Sequence, residues 1–189
     1  MAGLLAPLLA HAGPVLTLSP TTGSISSLPG GVVGWGFTIS NPDPNYLVVT
    51  SAQFCITVEV AGFVGCDQYP DPGLGTFTDH IAQFNFIVAG PAPESSVVSQ
   101  AFSSDLLTGI GSFAIDAGAA LDSSFAGQIL LTYDLYSRSP NDPLFDPGFD
   151  LISPGNTLTA NAAVTAIPEP ATFLLVAAGA VVLLRRSRR

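Results

Sequence analysis

The sequence predicts an all-β body, an antiparallel β-sandwich of immunoglobulin-like or jelly-roll type, followed by one short C-terminal transmembrane helix. Three observations lead there. Apolar side chains alternate with small or polar ones in period two, as half-buried strands require. The alternating runs are short and regularly spaced, and they are separated by turns drawn from 19 glycines and 16 prolines. No long 3.6-residue apolar pattern is present in the body.

Taken in order, Met1 to Ala12 holds Leu4, Leu5, Leu8 and Leu9, then Ala10-His11-Ala12, a small-x-small pattern suited to signal-peptidase cleavage after Ala12. This stretch reads as an export signal. Its apolar part is short and no Lys or Arg precedes it, so the expected translation start lies upstream of Met1. Residues 13–166 form one domain, because roughly 150 residues is one core's worth of chain.

The clearest strand is Val33, Trp35, Phe37 and Ile39 alternating with Gly34, Gly36, Thr38 and Ser40. Asn41-Pro42-Asp43-Pro44-Asn45 is a turn by composition, and Tyr46 to Thr50 and then Phe54, Ile56, Val58 and Val60 supply the next strands. Phe84, Phe86 and Val88 form a further apolar face. Val97 to Phe102, Gly111 to Ile115, Ile129-Leu131-Tyr133-Leu135 and Leu158-Ala160-Ala162-Val164 continue the series, giving eight or nine strands. Helix is limited to one or two turns near Ser104 to Thr108 and Asp116 to Leu121, each opened by a Ser or Asp cap.

The chain is 48% hydrophobic and 10% charged, the reverse of a disordered composition. Of its 14 acidic residues all but Glu169 lie in the body, against Arg138 as the body's one positive side chain, for a net charge of -12. Such a surface repels nucleic acid and anionic lipid. It suits solubility, divalent cations or neutral glycans.

Cys55 and Cys66, eleven positions apart in an exported chain, are expected to form a disulfide across one hairpin. Closing a loop of about a dozen residues stabilises by roughly 3 kcal/mol in the chain-entropy account.

Catalytic chemistry has few residues to draw on. His80 is the one histidine beyond the signal stretch, which leaves no His-rich zinc set and only a single base for a Ser-His-Asp triad. No Gly-x-Ser-x-Gly elbow occurs. Asp79 and His80 are neighbours that would face opposite ways in a strand, and Asp67, Asp71 and Asp79 flank Tyr69-Pro70 in a loop where an aromatic ring could stack on sugar. The one local cluster of oxygen ligands is Asp134, Asn141, Asp142, Asp146 and Asp150, hard donors of the kind Ca²⁺ takes six to eight of. It has no EF-hand spacing, and Asn-Asp-Pro and Asp-Pro-Gly are ordinary turn chemistry. No cofactor other than this candidate Ca²⁺ is expected.

The tail is the most informative stretch. Ala171 to Leu184 carries no charge, and apart from Thr172 and Gly179 it is Ala, Val, Leu and Phe, a run that lipid accepts as a helix. At about 1.5 Å per residue it spans roughly 21 Å against a hydrocarbon core of about 30 Å, so it crosses only with bilayer thinning and snorkelling arginines. Arg185, Arg186, Arg188 and Arg189 follow, which places the C-terminus in the cytoplasm and the body outside. Pro168 and Pro170 hold the intervening Glu169 in extended backbone, a form open to a protease.

Pro168-Glu169-Pro170, a short apolar helix and a terminal Arg cluster together resemble the PEP-CTERM sorting signal of bacterial envelope proteins, over residues 167–189. The resemblance implies recognition of Pro168, Glu169 and Pro170 by an exosortase, a membrane cysteine transpeptidase, with the Arg cluster stopping translocation. It also implies release or transfer of the body toward the exopolysaccharide layer. The expected partners are therefore the secretion machinery, the exosortase, the membrane through the tail before processing, and exopolysaccharide. The expected protein is an exported, non-enzymatic structural or adhesive component of the envelope or extracellular matrix. The alternative is a secreted carbohydrate-active hydrolase or a Ca²⁺-dependent carbohydrate-binding module using the acidic loops.

Overall fold

The computed structural model describes residues 13–56, 66, 73–81, 85–91 and 96–168. The signal stretch 1–12, the segment between the cysteines, Asp67, Asp71, Tyr69, Phe84, Glu169, Pro170, the helix 171–184 and the four terminal arginines all lie outside the described residues. Among the described residues no helix is long and apolar enough to cross a membrane.

The described residues form ten strands: β1 (Val15–Ser19), β2 (Ser24–Ser27), β3 (Val32–Ser40), β4 (Tyr46–Ile56), β5 (Gly75–Asp79), β6 (Ile87–Ala89), β7 (Val97–Gln100), β8 (Gly111–Ile115), β9 (Ser124–Tyr136) and β10 (Leu151–Ala166). They make two five-stranded sheets. One has the order β1-β3-β8-β5, with β7 also beside β3; the other has the order β2-β10-β9-β4-β6. The apolar faces of both close on one core that holds Trp35, Phe37, Ile39, Leu47, Ile129, Leu131 and Val164, all nearly inaccessible to solvent. The all-β, two-sheet expectation is met.

Several elements depart from the sequence reading. The pairing is not wholly antiparallel, since β2 runs parallel to β10. The chain leaves β1 through a short turn in which Gly23 N donates to Pro20 O, and it enters the other sheet without reversing direction. Because β10 heads the same way at that edge, the pair must be parallel. The stretch expected as two strands after Tyr46 is one strand, β4, with a bulge between Val49 and Ser51. The bulge shifts the inward parity from Leu47 and Val49 to Ala52, which makes one strand look like two. Along β6 the buried residues are Ile87 and Ala89, while Phe86 is 65% exposed, so the Phe86-Val88 face points away from the core. The segments 104–108 and 116–121 are turns, closed by the Ser103–Thr108 bridge and by Ala119 N donating to Asp116 O.

Tight contacts explain the glycines of β3. Phe102 lies over the outer face of that strand, and a Cβ on Gly34 would stand 2.3 Å from its ring. On the inner face Trp35 packs against Phe54 (5.4 Å between centroids) and Phe77 (6.2 Å), and its Nε1 donates to Gly23 O at 2.7 Å. The same carbonyl accepts from Ala163 N at 3.0 Å. One atom thus joins the sheet crossover, the core tryptophan and the last strand.

The strands define two ends. At one, β2, β8 and β10 finish and β3 and β9 begin, as the Ser27–Ala166, Thr165–Ser124 and Val32–Ala114 partners show. At the other, the 41–45 turn faces the β9–β10 connection. Buried Asn41 fixes that turn, its Nδ2 donating to the carbonyls of Asn45, Ala89 and Gly90. The sixteen residues of β10 run from one end to the other, on the order of 50 Å.

Candidate functional site

The functional region with most support in the sequence is the junction where the body gives way to the tail. β10 stays in the sheet to its last residue: Ala166 N donates to Ser123 O and Ile167 N to Ser27 O, both at 2.9 Å. Pro168, which has no N–H to donate, is exposed directly after this last bond. The proline that opens the sorting motif therefore also ends the sheet, and no spacer intervenes. Pro168 lines a depression of about 530 Å³ with Leu28, Pro29, Ala117 and Leu121.

At the opposite end, the acidic segment of the candidate Ca²⁺ cluster folds into a chain of local caps. Asp134 Oδ1 accepts Gly155 N (2.8 Å) and its Oδ2 accepts the Tyr136 hydroxyl (3.4 Å). Asp142 Oδ1 accepts Leu144 N, and Asp146 Oδ1 accepts Gly148 N and Phe149 N. Asp150 takes Asp146 N and the Ser137 hydroxyl, both at 2.9 Å. Arg138 Nε stands 3.9 Å from Asp150, while its Nη1 donates to Leu144 O. Asn141 is exposed and its N–H donates to Ser139 Oγ. Among the described residues no group of three His, Cys, Asp or Glu side chains is placed to hold a metal ion. The carboxylates are turn caps, as Asx side chains next to Pro and Gly commonly are.

These caps hold apolar side chains out in water. Leu144 is 75% exposed and Phe149 90%, with Leu151 and Ile152 beside them at the start of β10. Tyr136 stacks edge-on to Phe145 at 5.1 Å beneath this tip. Burial raises the Tyr136 hydroxyl pKa, and the Asp134 charge and hydrogen bond push it the same way. The sequence held the signal for this tip, apolar residues inside an Asx-Pro-Gly turn segment, but the acids drew the reading instead.

The Asp150 carboxyl titrates below the ordinary aspartate value of 3.8, held down first by the Asp146 N–H, then by the Ser137 hydroxyl and Arg138, against some burial. A depressed folded pKa contributes stability that is complete above the unfolded value and is lost as pH falls through the folded one. In an NMR acid titration the Asp150 carboxyl should therefore show a midpoint below the ordinary aspartate value of 3.8. Titration of Asp150 at or above the ordinary value would contradict this network.

Asp79 and His80 make contacts within the fold. Asp79 reaches from β5 to the other sheet, where its Oδ2 accepts Ala52 N (2.9 Å) at the β4 bulge and its Oδ1 accepts Ile81 N (2.7 Å). His80 is 1% exposed, stacks on Phe102, and has ring nitrogens 3.2 Å from Thr108 O and 3.1 Å from Ser112 Oγ. The two side chains do not form a dyad. Cys55 of β4 is disulfide-bonded to Cys66 with Cα atoms 4.4 Å apart, as expected.

Comparison with known proteins places the chain only in part. No curated protein matches it. Among solved structures it is similar to the ASH/PapD-like domain 7 of human CEP192, with 11% identity over 89% of this chain and 96% of that one at a TM-score of 0.36. It is also similar to the sixth cohesin of Acetivibrio cellulolyticus scaffoldin B, solved in complex with a Cel5 dockerin, with 12% identity over 82% and 99% at a TM-score of 0.31. Neither likeness is close enough to bear on function. The tail is different: residues 166–189 match the family described as the PEP-CTERM protein-sorting motif. The chain therefore carries, starting at the last residue of β10, the C-terminal signal that marks an exported exosortase substrate of the cell envelope.

Proposed function

We propose that this is a non-enzymatic surface protein, held in the membrane by residues 171–184 until an exosortase processes it near Pro168-Glu169-Pro170, and that its sandwich serves as an adhesive or structural element of the extracellular polymer matrix. The observation that carries the adhesive reading is the tip at Leu144, Phe149, Leu151 and Ile152. Exposed apolar clusters on a folded domain mark interaction sites. This one is braced by the Arg138-Asp150-Asp146 network and stands a full β10 length from the tail. A domain tethered at one end presents the other outward. The use of Asp79, His80 and the 134–150 carboxylates as structural partners supports a body without catalytic machinery.

The test is the double substitution Leu144→Ser, Phe149→Ser. Both side chains are exposed, so the folding stability should stay within the small range of surface changes, about ±0.5 kcal/mol. Retention of the protein in the native host's matrix should fall. Undiminished retention with normal folding would remove the tip from the function.

A further inference from the structure

We infer that the tail-side rim of the sandwich, built from Leu28, Pro29, Val32, Leu121, Ile167 and Pro168, rests on the outer leaflet of the bilayer as an interfacial contact before processing. This inference rests on the reading of residues 171–184 as a membrane segment.

The chain geometry leaves the rim nowhere else to go. Ile167 is hydrogen-bonded into the sheet, so the body is rigid up to the residue before Pro168. From Pro168 to Ala171 there are three residues, at most about 10 Å fully extended. The polar headgroup layer is itself roughly 5–8 Å thick on each side. The fourteen-residue apolar run is about 9 Å short of a 30 Å core, which draws the body toward the surface.

The rim has the chemistry for that position. Leu121 is 57% exposed, Val32 50% and Ile167 37%, around the depression lined by Leu28, Pro29, Ala117, Leu121 and Pro168. Apolar side chains at the headgroup boundary gain by partial insertion. The charged neighbours on this rim, Asp116 and Asp122, are both exposed and acidic, so the surface it fits is zwitterionic and anionic lipid is disfavoured.

The experiment uses the full chain in phosphatidylcholine vesicles with the Cys55–Cys66 disulfide intact. An environment-sensitive fluorophore is attached in turn through Leu121→Cys, Leu144→Cys and Val181→Cys, and spin-labelled lipids quench it. The expected result is blue-shifted emission and quenching at position 121 by shallow labels and at 181 by deep ones, with 144 unquenched. Quenching at 181 but a water-like signal at 121 would overturn the inference and leave the anchor standing. No quenching at 181 would overturn the anchor, and the inference with it. Shielding of 121 only in vesicles from host membranes, and not in pure phosphatidylcholine, would assign the rim to a protein partner and overturn the lipid contact.

Discussion

Replacing Trp35 by Ala should destabilise the body by about 3–5 kcal/mol, the range for deleting a large buried aromatic side chain. Trp35 is fully buried between the sheets, touches Phe54 and Phe77, and donates to the carbonyl of Gly23. Against a total stability of roughly 5–15 kcal/mol this is a large fraction. For a domain of this size it lowers the melting temperature by roughly 6–20 °C, readable by circular dichroism. Trp35→Phe separates the two contributions, since it keeps most of the volume and loses the hydrogen bond, worth about 1 kcal/mol. Gly23→Ala attacks the same junction from the backbone: φ is +70°, and a Cβ would stand 2.0 Å from Asn161 O. If Trp35→Ala melted within a degree or two of the native chain, the inter-sheet packing described above would be wrong.

Replacing Glu169 by Ala should leave export intact and stop processing, so that the chain accumulates with Arg189 still attached. Pro168 and Pro170 set the backbone on either side of Glu169, and its side chain is the motif's one charge. The sheet's hydrogen bonding ends at Ile167, so a processing enzyme meets the motif directly beside the folded body. An enzyme that reads this site has few other handles, and loss of the carboxylate should act as an all-or-none change. Normal processing of the Glu169→Ala chain would show that the tail is handled by some other route.

Much of this architecture was legible because period-two alternation survives wherever a strand is long and half-buried. β3, β8, β9 and the end of β10 follow from Trp35-Phe37-Ile39, Phe113-Ile115, Ile129-Leu131-Tyr133 and Ala162-Val164. The strand β2 was not legible: Ser24–Ser27 offers one apolar residue, Ile25, and its parallel partner lies at the far end of the chain. The β4 bulge defeated the period count by changing parity inside one strand. The role of Asp79 was not legible because its partner, the Ala52 N–H, becomes a neighbour only after the sheets stack. The sorting motif could be read in full because its recognition is linear. The tip was legible only as apolar residues within an Asx-Pro-Gly segment, and only the fold shows that Phe149 is left in water.

Mass spectrometry of the mature protein from its native host decides whether this is an exported body processed at its tail. The expected mature chain begins near Gly13, ends near Pro168 to Pro170 and carries the Cys55–Cys66 disulfide. A mature chain that still ends at Arg189 would contradict it, making the tail a permanent anchor.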